Sequence, residues 1–408
     1  MELSGSQFLV NSCIKRFSSG KSTFLNSACL TNAKVSEVPF TTIDANKGIA
    51  YLKVKCVCKE LNVEDNPKNS FCINGNRFIP INLLDVAGLV PDAHKGKGLG
   101  NKFLNDLSRA DVLLHIVDIT GTLDKTGKRG SIGENDPYDD ILFLENEINF
   151  WVKGILERED WNKFSRSSKD KNLLLENLHK RLSGLKIKKQ NIIESLKSSK
   201  LENKLPSQWT DDEILTFSKN LRELSKQILI VANKIDKEIS LKNYEILKKR
   251  YKGIIIPCSA LAEHYLRKYH ENKIINYIPG SVDFDILNQE KLSSQELAML
   301  KKIKTEILEH FNGTGVQNIL NYATFQMANL ISVYPVSDLN NYSDNNNNIL
   351  PDVFLVKKGT LLKDFVRKKI HSDLAKHFIH GIDARTKRRL GENYELQHND
   401  IVKIVSAK

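Results

Sequence analysis

The chain has no apolar run of the roughly 18–20 residues needed to cross a bilayer, and no leader of the secretory kind precedes a cleavage site. Both absences point to a reducing, cytoplasmic location with no membrane partner. Cysteine is sparse as well. The six stand at 13, 29, 56, 58, 72 and 258, and none forms the spaced pair of the usual metal knuckle. Cys56 and Cys58 have a single residue between them. Apolar and charged residues mostly alternate over Tyr51–Lys59, so this stretch reads as a strand carrying both thiols on one face. Charge balance is also missing. Lys and Arg number 61 against 49 Asp and Glu, a formal net charge of +12. That excess favours an acidic partner, most commonly nucleic acid, through contacts that weaken with salt. A Lys-biased proteome gives the same excess with no partner at all.

What is present suffices for two or three domains: 408 residues, 40% of them hydrophobic. Gln7–Ile14, Phe78–Leu84, Asp111–Val117, Gln227–Val231 and Gly253–Pro257 are the short apolar runs of buried, mostly parallel strands. Gly20–Leu30 reads as a loop entering a helix. Residues 121–217 differ in character. Apolar residues recur at helical spacing over Ile141–Glu159, and a charged helical period resumes over Leu173–Lys197. Two long helices joined near Ser165–Asp170 predict an inserted antiparallel coiled-coil hairpin. Its solvated face accounts for the local charge, and it also suits a reaching arm. Leu292–Leu308 is helical, and Ser337–Asn348 is a low-complexity connection. Beyond it, Val353–Val356, Leu361–His371 and Ile401–Val405 outline a small mixed domain. The expected division is 1–120 with 218–330, an insertion at 121–217, and a terminal domain at 331–408.

Three short motifs fall just after predicted strands, where ligands bind in such folds. Gly20-Lys21-Ser22-Thr23 is the second half of a phosphate loop. Backbone N–H groups around Ser18, Ser19 and Gly20 and at the helix start wrap phosphates. Lys21 faces the β and γ groups, and Ser22, beside Thr23, holds Mg²⁺. Asp85-Val86-Ala87-Gly88 closes an apolar run, so Asp85 reaches Mg²⁺ through water while Gly88 offers its N–H to a γ-phosphate. Asn233-Lys234-Ile235-Asp236 follows another run. Asp236 there accepts from guanine N1 and the exocyclic amine, donors that adenine does not present. The Lys234 stem covers the base plane, and Ser259-Ala260 offers a backbone N–H to guanine O6. The opening glycine of the phosphate loop is absent, and Lys15 stands in its place.

The chain resembles the YchF subfamily of the Obg-related GTPases, in its archaeal and fungal branch. The resemblance rests on Pro39-Phe40-Thr41-Thr42-Ile43, on Asp85–Val90 followed by His94–Asn101, on Asn233–Asp236, on Ser259-Ala260 and on Gly313-Thr314-Gly315-Val316. Asp373-Leu374-Ala375, Phe378-Ile379-His380, Asp383-Ala384-Arg385 and Asp400–Lys403 look like that subfamily's TGS domain, a small ubiquitin-like α+β fold. The resemblance implies an α/β P-loop GTPase domain with an inserted helical hairpin. It makes Thr42 the switch threonine at Mg²⁺ and the γ-phosphate, so that Lys21, Thr42 and Gly88 serve catalysis and Ser22, Thr42 and Asp85 the metal. It implies a ribosome-associated switch hydrolysing GTP. Some members prefer ATP where the base-reading motif is altered, whereas here it is intact. Leu89 follows Gly88, as in the family, and cannot orient water, so intrinsic hydrolysis is expected to be slow.

Two departures bear on this reading. Lys15-Arg16-Phe17-Ser18-Ser19 replaces the family's usual Gly-Lys-Pro-Asn-Val. Ser18 stands where relatives carry an Asn linked to potassium, which leaves potassium dependence open. Two rivals follow: an ATPase of the same fold, and an RNA- or ribosome-binding module with a degenerate nucleotide site. For ribosome or ribosomal RNA contact the candidates are Lys363, Arg367, Lys368 and Lys369, along one helix-like segment. The sequence leaves the oligomeric state open. His371, His377 and His380 lack convergent metal spacing and read as surface or packing residues.

Overall fold

A computed structural model of the chain describes residues 7–11, 19–29, 47–85, 93–95, 107, 110–123, 130–158, 161–185 and 187–407. Strands β1 (Gln7–Asn11), β2 (Lys47–Lys55), β3 (Phe71–Ile73), β4 (Asn76–Asp85), β5 (Val112–Asp118), β6 (Ile228–Asn233) and β7 (Ile254–Cys258) make one seven-stranded sheet. Its order is β2-β4-β1-β5-β6-β7, with β3 also on β4. From β4 to β7 all pairs are parallel, while β2 and β3 lie antiparallel on β4. The register aligns Val10 with Asp85, Asp118 with Asn233, and Asn233 with Cys258. Asp85, Asp118 and Asn233 therefore leave the sheet at one edge.

Every residue of β5 and β6 is buried, because both faces of these strands are covered. Leu113, Val117, Ile228 and Ile230 face one core, and Leu114, Ile116, Leu229 and Val231 face another. The first core is filled by the helices inserted between β5 and β6. The second holds Phe24 and Ala28 of helix α1 (Lys21–Ala28), the Val316–Asn321 helix, and Tyr334, Leu350 and Ile401 from the terminal domain. Between β7 and the terminal domain, β8 (Ile275–Asn276) and β9 (Asp285–Ile286) form a two-stranded ribbon.

The inserted segment is helical, but it is not the expected coiled-coil hairpin. Pro137–Glu157, Trp161–Ser167, Lys171–Arg181, Lys189–Ser198 and Asp211–Ser225 pack as a bundle whose core is continuous with the sheet. The period over Leu173–Lys197 breaks because Leu182, Leu185 and Ile187 all turn inward around a short 3₁₀ turn at Ser183–Leu185. Phe164, Trp161, Trp209 and Phe217 form a chain of ring contacts within the bundle, the first pair stacked and the others tilted. Caps at Asp136, Asp170 and Thr210 fix the helix starts.

A second correction concerns Tyr51–Cys58. Strand β2 ends at Lys55, and Cys56 opens a short helix, α2 (Val57–Glu60). The two thiols are therefore not neighbours on a strand face. In the terminal domain, β10 (Leu330–Val336), β11 (Phe354–Lys357), β12 (Phe378–Asp383), β13 (Arg389–Leu390) and β14 (Asp400–Ser406) form a mixed sheet in the order β11-β10-β14-β12-β13. Leu362, Phe365, Val366 and Ala375 pack its helices on one face.

Gly315 shows how tightly the strand ends are held. Its φ is +90°, and a Cβ there would lie 2.1 Å from the Pro257 carbonyl oxygen. Gly315→Ala combines left-handed strain with backbone overlap and should cost at least about 2 kcal/mol. Urea unfolding at unchanged cooperativity checks it, and a parental midpoint would contradict this packing.

Candidate functional site

The site forms where β4, β5, β6 and β7 end beside the start of α1. Gly20 precedes α1 with φ 87° and ψ 18°, and no side chain caps the helix. The first turn carries no acidic residue, so its N–H groups present positive potential to an anion. A Cβ on Gly20 would meet Asn233 Nδ2 at 2.3 Å. Lys21 Nζ lies 2.5 Å from Asp85 Oδ1, while Ser22 is exposed on the same turn. The Ser19 hydroxyl is buried without a hydrogen-bond partner among the described residues.

Asn233 is 2% exposed and holds two loops at once. Its Nδ2 donates to the Ser19 carbonyl at 2.9 Å, and the Ala260 N–H donates to its Oδ1 at 3.2 Å. Asp236 receives the Ser259 hydroxyl at 2.6 Å. Ser259 also caps the Ala260–Glu271 helix through the Ala262 N–H. Thus Ser19, Gly20, Asn233, Asp236, Ser259 and Ala260 are brought together. An open cavity of about 490 Å³ lies along Asp236, walled by Ile235, Leu241, His310 and Phe311.

Lys234 adopts φ 67° and puts Nζ 2.6 Å from Asp118 Oδ2. Asp118 is 2% exposed and also receives the Thr120 N–H and hydroxyl and the Thr122 hydroxyl. Burial alone raises its pKa. The hydrogen bonds from Lys234, Thr120 and Thr122 outweigh burial and hold the carboxyl below its usual range. Sequence reading missed this network, although an Asp closing the apolar β5 run was a visible signal. A second missed contact joins His94 to the inserted bundle. The His94 N–H donates to Glu147 Oε2 at 3.1 Å, and its Nδ1 lies 2.8 Å from the same oxygen.

Ser18, Thr42, Gly88 and Leu89 lie outside the described residues, as does Lys15. The candidate cations of the terminal domain are partly engaged within the chain. Lys363 pairs with Glu392 at 2.5 Å and Arg367 with Asp364 at 2.6 Å. Lys368 is exposed, and burial lowers the pKa of Lys369.

Three family models match the chain: a 50S ribosome-binding GTPase over residues 14–146, the G4-motif-containing domain of the YGR210-like Obg-like GTPases over 231–338, and a TGS domain over 346–406. An uncharacterised GTP-binding protein of Methanocaldococcus jannaschii is 44% identical, over 95% of this chain and 96% of its own length. The crystal structure of a GTP-binding protein from Pyrococcus horikoshii superposes with a TM-score of 0.72 at 35% identity, covering 98% of this chain and all of the other. The YchF GTPase of Schizosaccharomyces pombe shares the fold, with a TM-score of 0.58 at 15% identity and 98% coverage of both chains.

The Asp118 network has a pH signature. Its folded pKa is depressed, so its stabilisation is complete above the unfolded value near about 4 and is lost as pH falls through the folded value. Asp118→Asn should lose roughly 2–4 kcal/mol at neutral pH. The gap between variant and parent should narrow below about pH 4. Urea unfolding across pH 3–7 measures it, and a pH-independent gap would contradict the assignment.

Proposed function

The chain belongs to the Obg-like GTP-binding proteins of the YchF type, and from that membership we propose that it hydrolyses GTP to GDP and phosphate. The observation that carries the proposal is the convergence of Asn233, Asp236, Ser259 and Ala260 on the open start of α1, with Lys21 against Asp85. Asp236, steadied by Ser259, accepts from guanine N1 and its amine. The Ala260 N–H lies on the same loop for O6. Ser19, Gly20 and Thr23 line the phosphates, and the unpartnered Ser19 hydroxyl fits an acceptor there.

The oxygen donors of Ser22, Thr42 and Asp85 suit Mg²⁺, a hard cation. Bound there, it neutralises charge on the β and γ oxygens. Lys21 stabilises charge developing on the transferring phosphoryl, and the Gly88 N–H positions it. Lys21 is held by Asp85 in this structure and turns from that carboxylate toward the phosphates when nucleotide enters. Leu89 offers water no hydrogen bond, so turnover in isolation is slow. In this reading residues 1–120 and 218–330 form the nucleotide-binding body, 121–217 the insertion and 331–408 the TGS domain.

Competition between GTP and ATP, with hydrolysis followed in single turnover, tests the reading. GTP should win. Asp236→Asn removes a charged acceptor worth roughly 1.5–3 kcal/mol, about 10–150-fold in GTP affinity. Lys21→Ala should slow the chemical step. Equal GTP binding by Asp236→Asn, or parental turnover by Lys21→Ala, would sink the assignment. Preference for ATP would identify the ATPase rival, and binding without turnover the degenerate module.

We further propose that the protein acts on the ribosome in the cytoplasm, docking on ribosomal RNA through the terminal domain. The +12 charge, the TGS match and the ribosome-binding description of the family matching residues 14–146 support it. Lys368 is the most available of the four candidates, since Lys363 and Arg367 already share carboxylates. Reversing charge at Arg367 and Lys368 should reduce ribosome co-sedimentation, most visibly at low salt. The log–log salt slope should flatten by about 0.7–0.9 for each phosphate no longer neutralised. An unchanged series would remove this patch, and no binding by the parent at any salt would remove the ribosome.

A further inference from the structure

Three of the six cysteines meet at the end of β4 opposite Asp85. Antiparallel pairing sets Lys55, the last residue of β2, against Asn76, the first of β4. Cys56 and Cys58 follow on α2, and the chain returns through Asp65 to β3, where Cys72 stands opposite Arg77. The three sulfurs and a carboxylate oxygen of Asp65 all lie within 4.8 Å of one another. Cys56 Sγ is 3.1 Å from Asp65 Oδ2, and Cys58 Sγ is 4.0 Å from Cys72 Sγ. Zn–S bonds of about 2.3 Å in a tetrahedron put sulfurs near ~3.8 Å apart. The Cys58–Cys72 pair is within a few tenths of an ångström of that spacing.

Two of the four groups are buried, and Asp65 and Cys72 are half-buried. Cys56 and Cys58 are 5% and 3% exposed. Arg77 is fully buried, and its Nη1 lies 2.8 Å from Asp65 Oδ2. Metal ligands are commonly oriented by such an outer partner. Three thiolates and a carboxylate on a dication leave two excess negative charges, and Arg77 offsets one. Soft sulfur in a tetrahedral set selects zinc over magnesium or calcium.

We propose that Cys56, Cys58, Cys72 and Asp65 bind a structural zinc ion that fixes the seat of the terminal domain on the nucleotide-binding body. Three S–H bonds release their protons to solvent as three Zn–S bonds form, with no change of oxidation state. The position carries the second half of the proposal. Arg77 Nη2 donates to the Leu350 carbonyl at 2.5 Å, and its guanidinium lies over the Tyr334 ring. Glu60 of α2 receives two hydrogen bonds from Arg385. Ordering the α2 loop therefore orders the groups that hold the terminal domain.

The test uses the full-length, reduced protein, stripped with a chelator and titrated with Co²⁺. Intense sulfur-to-cobalt charge-transfer absorption should saturate at one equivalent and disappear on adding Zn²⁺. Cys29→Ser should titrate like the parent. Arg77→Met should weaken binding about 10–100-fold, and Cys72→Ser by more. Chelation should expose the 337–348 connection to protease in the parent. Should Cys72→Ser fail to fold, the parent titration alone decides. Absence of the charge-transfer band with all thiols reduced overturns the proposal. So does a Cys58–Cys72 disulfide in protein purified without oxidant, or protease sensitivity indifferent to metal.

Discussion

A single buried amide holds the nucleotide-site loops in register. Asn233 leaves β6 with both ends of its side chain committed, the Nδ2 to Ser19 and the Oδ1 to Ala260. An unsatisfied amide at 2% exposure would cost about 1–3 kcal/mol. The two loops are therefore held wherever the strand end is held. The strand end in turn is fixed by β5 and β7, both parallel to it. Gly20 must be glycine in this arrangement for two reasons: a positive φ, and the Asn233 amide where its Cβ would stand. The Ser19–Gly20 loop and the loops at Asn233 and Ala260 thus constrain one another before any ligand is considered.

Lys234 and Asp118 extend the same constraint to β5. The ammonium sits on a carboxylate already satisfied by two threonines, so little is left to rearrange. His94 joins Glu147 of the inserted bundle through backbone and ring. A segment following the Asp85 strand is thereby tied to a helix that no site motif includes.

Most of the sheet was legible because β5 and β6 are buried on both faces and read as uninterrupted apolar runs. Residue types with one dominant use beside a strand end, such as Asn233 and Asp236, named candidate loops that the structure brings together. Four features were not legible. Helical periodicity over Leu173–Lys197 gave the helices but not the break at Leu182–Ile187, because an inward-turning leucine fits the period as well as a helical one does. The Cys56–Cys58 spacing was misread because alternation over Tyr51–Lys59 continues past Lys55, where the backbone changes to helix. The partners of those thiols, Asp65 and Cys72, come from a loop and a hairpin that no local pattern connects. Asp118 was visible as an Asp closing an apolar run, but nothing local names its partner, Lys234, far along the chain.

Strand β4 explains why the terminal domain sits where it does. One end carries Asp85 at the nucleotide site, and near the other Arg77 donates to Leu350. At ten residues it spans roughly 30 Å, and it is paired along both edges by β1, β2 and β3. Such a strand does not bend without breaking its ladders. Tyr334, Leu350 and Ile401 lie in the same core as Phe24 and Leu229, so the terminal domain is seated by packing as well as by polar contacts. Asn69 adds two hydrogen bonds to Val353, and Lys68 an ion pair to Asp344. A swing of the terminal domain would have to break all of these at once. The terminal domain is thus tied both to β4 and to the core packed on the sheet.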